Sequence, residues 1–164
     1  MKESEYLHGR SDLIKKLQQF PILKNMDTNH LLDMLQLSKI RSYEAGEVIT
    51  EEGVYDSWIY VIVYGELVVT KGGNELARLS ESGETFGEQT ILDGEARSAT
   101  VSATINTKCL AIDASFLDNL PIEEQSAFYS IFYRMLAEIL SRRLRETGAE
   151  LASCKTELAK LKPS

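Results

Sequence analysis

Glycines at positions 46, 53, 65, 72, 73, 83 and 94 punctuate the middle of the chain at intervals too short for a long helix and well suited to tight turns. Between them lie short apolar, β-prone runs: Val48-Ile49, Trp58 to Val63, Glu66 to Thr70, Leu76 to Leu79, Ala99 to Ala103 and Lys108 to Ile112. Strands this short, at this spacing, predict a small antiparallel β-barrel or jelly roll.

The flanks carry a different period. Asp12 to Phe20 places Leu13, Ile14 and Leu17 at helical spacing, and Thr28 is positioned to cap a second run holding Leu31, Leu32, Met34 and Leu35, with Pro21 breaking the two apart. The first ~40 residues therefore read as helices. After Pro121 a helical pattern returns and persists almost to the end, with Phe128, Ile131, Phe132, Met135, Leu136, Ile139 and Leu140 on one broad apolar face. The expected class is mixed α+β: N-terminal helices and a β-barrel over residues 1–121, then a long helix over 122–164. With 164 residues and 43% hydrophobic content, one good core is affordable and no second domain is needed.

Several functions are disfavoured by composition. Lys and Arg total 18 against 25 Asp and Glu, a net charge of −7, which makes the chain a poor polyanion binder; direct nucleic-acid contact is not expected. No apolar run approaches the ~20 residues a membrane span needs, and MKESEYLHGR lacks the apolar core of a signal peptide, so no membrane partner and a cytoplasmic location are expected. Cys109 and Cys154 stand far apart without a C-x-x-C or histidine spacing, which argues against metal and redox chemistry. His8 and His30, the only histidines, have no nucleophile or metal partner at a recognisable spacing, so no catalytic residues, no cofactor and no enzymatic activity are expected.

The run FGEQTILDGEARSATV, Phe86 to Val101, concentrates binding chemistry. Gly87 lets a ligand approach the backbone, and Gln89 to Leu92 can make a helical turn whose free N–H groups face an anion. Arg97, after the Asp93-Gly94 turn signal, carries a guanidinium able to grip two phosphate oxygens. Glu88 would repel a phosphate, so its role would be to accept hydrogen bonds from a sugar hydroxyl. The same residues also suit a surface hairpin with an ion pair worth ~0–1 kcal/mol.

In order and length, the run resembles the phosphate-binding cassette of the cyclic-nucleotide-binding domain family, the module of catabolite-activator regulators, kinase regulatory subunits and nucleotide-gated channels. The stretches AGEVITEEG and IYVIVYGELVV resemble that family's opening strands, so the likeness covers nearly the whole chain. It implies that Glu88 takes the ribose 2′-hydroxyl and Arg97 the exocyclic phosphate oxygens. Gly87, Ser98 and Ala99 would then present backbone amides, with Phe86 and Gln89 beside them, and Val69 and Leu76 would pack against the base. Gln89 and Thr90 depart from the apolar residues many members carry, and Ala96 replaces a frequent proline.

Toward the C-terminus the apolar stripe narrows to a seam: Leu144, Leu151 and Leu158 repeat every seven residues, interleaved with Leu140, Thr147, Cys154 and Leu161. Such a seam is what a two-stranded coiled coil requires, and a helix folded back on its own barrel would leave it exposed, so a parallel homodimer is expected. The resemblance implies the same, since regulators of that family dimerise through a long helix after the barrel. In its catabolite-activator branch that helix carries a run similar to RRLRET, here Arg142 to Thr147, where Thr147 would match a hydroxyl that reaches adenine. Thr147 could equally be a polar residue that sets coiled-coil register. Arg142, Arg143 and Arg145, with Glu138 and Glu146 nearby, read as a solvated, salt-bridged face. No helix-turn-helix pattern follows before Lys162-Pro163-Ser164, as a DNA reader of that branch would require, and the cassette and RRLRET run have a bacterial look.

The expected function is therefore a cyclic-nucleotide sensor, binding cAMP in preference to cGMP, that couples occupancy to a C-terminal dimer helix. The alternative is a dimeric scaffold that keeps the fold without nucleotide, its Arg97 paired to Glu88 or Glu95.

Overall fold

A computed structural model describes residues 1–20, 23–24, 26–115 and 121–161; within the last helix, the side chains of residues 123, 124, 127, 128 and 131 are not described. The break expected at Pro21, the side chains of Phe128 and Ile131 and the terminal Lys162-Pro163-Ser164 lie outside the described residues.

Among the described residues, nine strands run in chain order: β1 (Lys2–Glu3), β2 (Ser38–Tyr43), β3 (Val48–Thr50), β4 (Trp58–Tyr64), β5 (Leu67–Lys71), β6 (Asn74–Leu79), β7 (Thr85–Phe86), β8 (Thr100–Ala103) and β9 (Thr107–Asp113). The helices are α1 (Ile14–Leu17), α2 (Thr28–Gln36), α3 (Glu88–Asp93) and α4 (Ile122–Leu161). The strands form two antiparallel sheets, of order β1-β2-β9-β4-β7 and β3-β8-β5-β6. The barrel expected from the glycine spacing is thus an open two-sheet jelly roll: among the described residues no ladder joins one sheet to the other. Strands of two or three residues at the margins are too short to close it.

Alternation along β4 and β9 organises two cores. Ile59 and Val61, with Leu110 and Ile112, face the helices and pack with Leu17, Leu31, Leu35, Phe132, Met135, Leu136 and Ile139. The intervening Tyr60, Ile62, Cys109 and Ala111 face the other sheet and pack with Tyr43, Leu67, Phe86 and Val101. Burial of both faces explains the nearly unbroken apolar run of β4. Burial also pushes the Cys109 thiol up to about 12, so it behaves as a small apolar side chain.

Three local expectations are corrected. The first helix is a 3-10 turn, Ser11–Leu13, followed by the single turn of α1, shorter than Asp12 to Phe20. The cap of α2 is Asp27, not Thr28: its extended backbone and carboxylate accept the His30 N–H at 3.0 Å. Lys2–Glu3, wholly inside the segment read as helical, and Ser38–Tyr43, partly inside it, are strands, because pairing of the first with β2 and of the second with β9 across six positions outweighs a weak local pattern.

Candidate functional site

A cavity of about 370 Å³ opens between the four-stranded sheet, α3 and α4. Val69, Leu76 and Leu79 form an apolar wall; Phe86, Gly87, Glu88, Gln89, Arg97, Ser98 and Ala99 form the facing rim, and Thr147 lies above on α4. Every residue expected to contact ligand therefore borders one space.

The geometry starts from Gly87, which caps α3 with φ of 86°. A side chain there would put its Cβ 2.6 Å from Arg97 Nη1 and 2.8 Å from the Trp58 carbonyl, so glycine is required by both backbone and space. Gly94 ends the helix at φ 71°, and the chain returns to place Arg97, whose backbone is tied to Val54 and Gly53 at 2.9 Å each.

Arg97 is 4% exposed, and its guanidinium is fully engaged within the protein. Nε donates to Asp56 Oδ2 at 3.0 Å; Nη1 donates to the Gly87 carbonyl at 2.5 Å and to Thr90 Oγ1 at 3.5 Å. Nη2 donates to the Trp58 carbonyl at 2.5 Å and to Asp56 Oδ1, closing a fork on the carboxylate. The pairing with Glu88 or Glu95 considered for a non-binding scaffold is corrected: the partner is Asp56, brought by the loop before β4.

Glu88 is fully buried. Its Oε1 accepts from Arg143 Nη1 at 2.5 Å, and Arg143 Nη2 also donates to the Thr85 carbonyl. Its Oε2 is buried and, among the described residues, has no hydrogen-bond partner. A buried carboxylate oxygen left unpaired is costly, so this atom is set to accept one further donor. Arg143 thereby leaves the solvated face to which the sequence assigned it and becomes part of the cavity wall with Glu146, Thr147 and Glu150. Arg142 does follow the expected pattern, lying 4.0 Å from Glu146. At the rim, Ser98 Oγ donates to Gln89 Oε1 at 3.0 Å.

A family model described as the cyclic nucleotide-binding domain matches residues 40–123. The chain belongs to that family. Its sequence is 29% identical over 152 residues to a cGMP-dependent protein kinase of Plasmodium berghei, a match covering 92% of this chain and 16% of the kinase. The chain thus spans a small part of that relative. A cyclic nucleotide-binding domain from Methylobacillus flagellatus superposes with a TM-score of 0.77 at 18% identity, covering 98% of this chain and 90% of that one. The Thermus thermophilus catabolite activator protein superposes with a TM-score of 0.64 at 27% identity over 82% of this chain and 63% of its own. Relatives of this cyclic nucleotide-binding domain therefore come from both bacteria and eukaryotes.

Sequence reasoning missed Asp56, Thr90 and Arg143 as parts of the site. Asp56 and Arg143 stand 41 and 55 residues from the side chains they pair with, and no local spacing signals such a pair. Among the described residues, no cluster of His, Cys, Asp or Glu could hold a metal ion, and no helix is long and apolar enough to cross a membrane.

Proposed function

We propose that the cavity binds one cyclic purine nucleotide, cAMP in preference to cGMP, and that occupancy is relayed to α4 and through it to a dimer. The observation that carries this reading is Glu88 Oε2, a buried acceptor without a donor at the edge of a cavity. A ribose 2′-hydroxyl would satisfy it, while Oε1 stays with Arg143. The cyclic phosphate would lie at the rim formed by Arg97, Ser98 and Ala99. There it would draw guanidinium donors from the Gly87 and Trp58 carbonyls, leaving Asp56 to hold the arginine in place. The base would rest on Val69 and Leu76 beneath the Thr147 hydroxyl, which supports adenine as the preferred base.

Because Glu88 touches both the expected ribose position and Arg143, a ligand that changes the Glu88 environment changes the seating of α4. The seam beyond it, Leu144, Leu151 and Leu158, is exposed. In parallel register, Glu150 of one copy would stand opposite Lys155 of the next. The downstream partner would read the resulting helix pair.

The test is calorimetric titration with cAMP and with cGMP, beside Arg97→Ala. Micromolar or tighter binding that the substitution abolishes supports the reading, and tighter binding of cAMP supports the stated base. Unchanged affinity in Arg97→Ala sinks it.

A second reading has its own support: all donors of Arg97 are already satisfied by the protein, as expected of a scaffold that keeps the fold without ligand. That reading predicts no heat and no thermal shift with either nucleotide, since only a ligand of the folded state raises stability.

A further inference from the structure

Arg97 is a cation that the protein has largely neutralised before any ligand arrives. Asp56 accepts from Nε at 3.0 Å and from Nη2, and is itself fixed by the Trp58 N–H, which donates to Oδ1 at 2.9 Å. The arginine side chain is 3% exposed and that of Asp56 28%, so the two charges are in contact and mostly removed from water. Glu88 follows Gly87, whose carbonyl takes Nη1, and so brings a second carboxylate close to the same guanidinium. The remaining charge of the cavity is balanced as well. Its lining carries Lys71, Arg97 and Arg143 against Glu88, Glu146 and Glu150, and Asp56, outside the lining, adds a fourth carboxylate. Glu88 is paired to Arg143, Glu146 lies 4.0 Å from Arg142, and Lys71 and Glu150 are exposed to solvent.

We infer that Asp56 is a specificity-determining residue that limits the phosphate accepted at Arg97 to a single negative charge. The inference rests on the nucleotide-binding reading of the cavity and assigns its charge selectivity to one side chain outside the lining. A cyclic phosphodiester carries one charge, whereas a terminal phosphate monoester, with a second pKa of about 6, carries close to two at neutral pH. Doubling the charge steeply raises the cost of stripping water from the phosphate. The attraction of Arg97 that would compensate is offset by the carboxylate fixed on its Nε edge. With Asp56 and Glu88 both in place, a second charge on the ligand therefore gains little and loses its hydration. Removing the charge of Asp56 returns a whole unit of positive charge to the phosphate site, and the dianion benefits most.

The experiment compares three ligands on the wild type and on Asp56→Asn at low salt: cAMP, AMP, and the 5′-methyl ester of AMP, which is linear like AMP but carries one charge. Affinities are read by displacement of a fluorescent cAMP analogue, which reaches weak binders. Titration of the wild type with cAMP comes first: absence of binding there overturns the nucleotide reading and the charge limit together. With cAMP bound, the wild type is expected to hold the methyl ester at least about tenfold more tightly than AMP, and Asp56→Asn to shrink that ratio to about threefold or less. Equal affinities of the two linear ligands in the wild type overturn the charge limit and leave the nucleotide reading standing. So does an unchanged ratio in the variant, including one in which all three ligands weaken together, the outcome expected if Asp56 only steers Arg97 into place. Should Asp56→Asn bind no analogue at all, the wild type across a salt series decides: the ratio should narrow as salt screens the carboxylate, and a ratio indifferent to salt overturns the limit.

Discussion

The two halves of α4 show what one apolar stripe becomes when it does or does not meet a partner. In the first half, Phe132, Met135, Leu136 and Ile139 are almost wholly buried against β4, β9 and the N-terminal helices. In the second half, Leu144 is 76% exposed, Leu151 53%, Leu158 60% and Leu161 79%. Between the halves, Arg143, Glu146, Thr147 and Glu150 border the cavity. One helix thus belongs to the domain core over Phe132 to Ile139, to the cavity wall in its middle, and at its end to a surface that its own domain leaves uncovered.

Truncation in the packed half should produce the largest effect. Leu136→Ala is expected to cost ~2–5 kcal/mol of folding stability in denaturant unfolding, since the cavity it leaves lies under two helices and a sheet that cannot easily collapse into it. A cost below ~1 kcal/mol would mean that the first half of α4 is not core, and the contrast would fail.

The middle effect belongs to the seam. Leu151→Asp should leave the unfolding of dilute protein nearly unchanged yet weaken self-association at least tenfold, about 1.4 kcal/mol, read by sedimentation across a concentration series. If the wild type stays monomeric at every concentration, the exposed leucines need another partner and the dimer reading falls.

The smallest effect is local. Gly148 lies inside α4 with nothing within 4 Å of an added Cβ, so Gly148→Ala should stabilise the helix by ~0.5–1 kcal/mol through propensity alone. Slower amide exchange confined to the free half would bear this out. A destabilised domain would show that residue 148 packs against something.

Much of the fold was legible because its signals are local. The strands around Trp58 to Val63 and Lys108 to Ile112 declared themselves through β-prone apolar runs and bounding turns, and they became β4 and β9. β7 did not, because two residues carry no period; Thr85 and Phe86 are a strand only because Val61 and Tyr60 lie opposite. The segment before Arg41 misled for a related reason, since ladder hydrogen bonds to β9 decided a stretch whose own pattern is weak.

The candidate site divides in the same way. Phe86 to Ala99 could be recognised as one cassette since its parts are near in sequence, and Val69, Leu76 and Thr147 border the same cavity. The electrostatics could not be read. Arg142, Arg143 and Arg145 look alike along the helix, yet Arg143 alone turns toward Glu88 and the Thr85 carbonyl.

By itself, then, the sequence determined where turns must fall, which stretches alternate, and which short run holds an arginine and a carboxylate of the kinds expected to take a phosphate and a sugar hydroxyl. These depend on residues a few positions apart, whose relative placement backbone geometry dictates. Only the tertiary structure decided that the two sheets stay open, that Asp56 clamps Arg97, and that Arg143, half-buried, pairs with Glu88. Each of those is a contact between distant segments, and buried charges and unpaired strand edges take whichever partner the completed fold brings within reach.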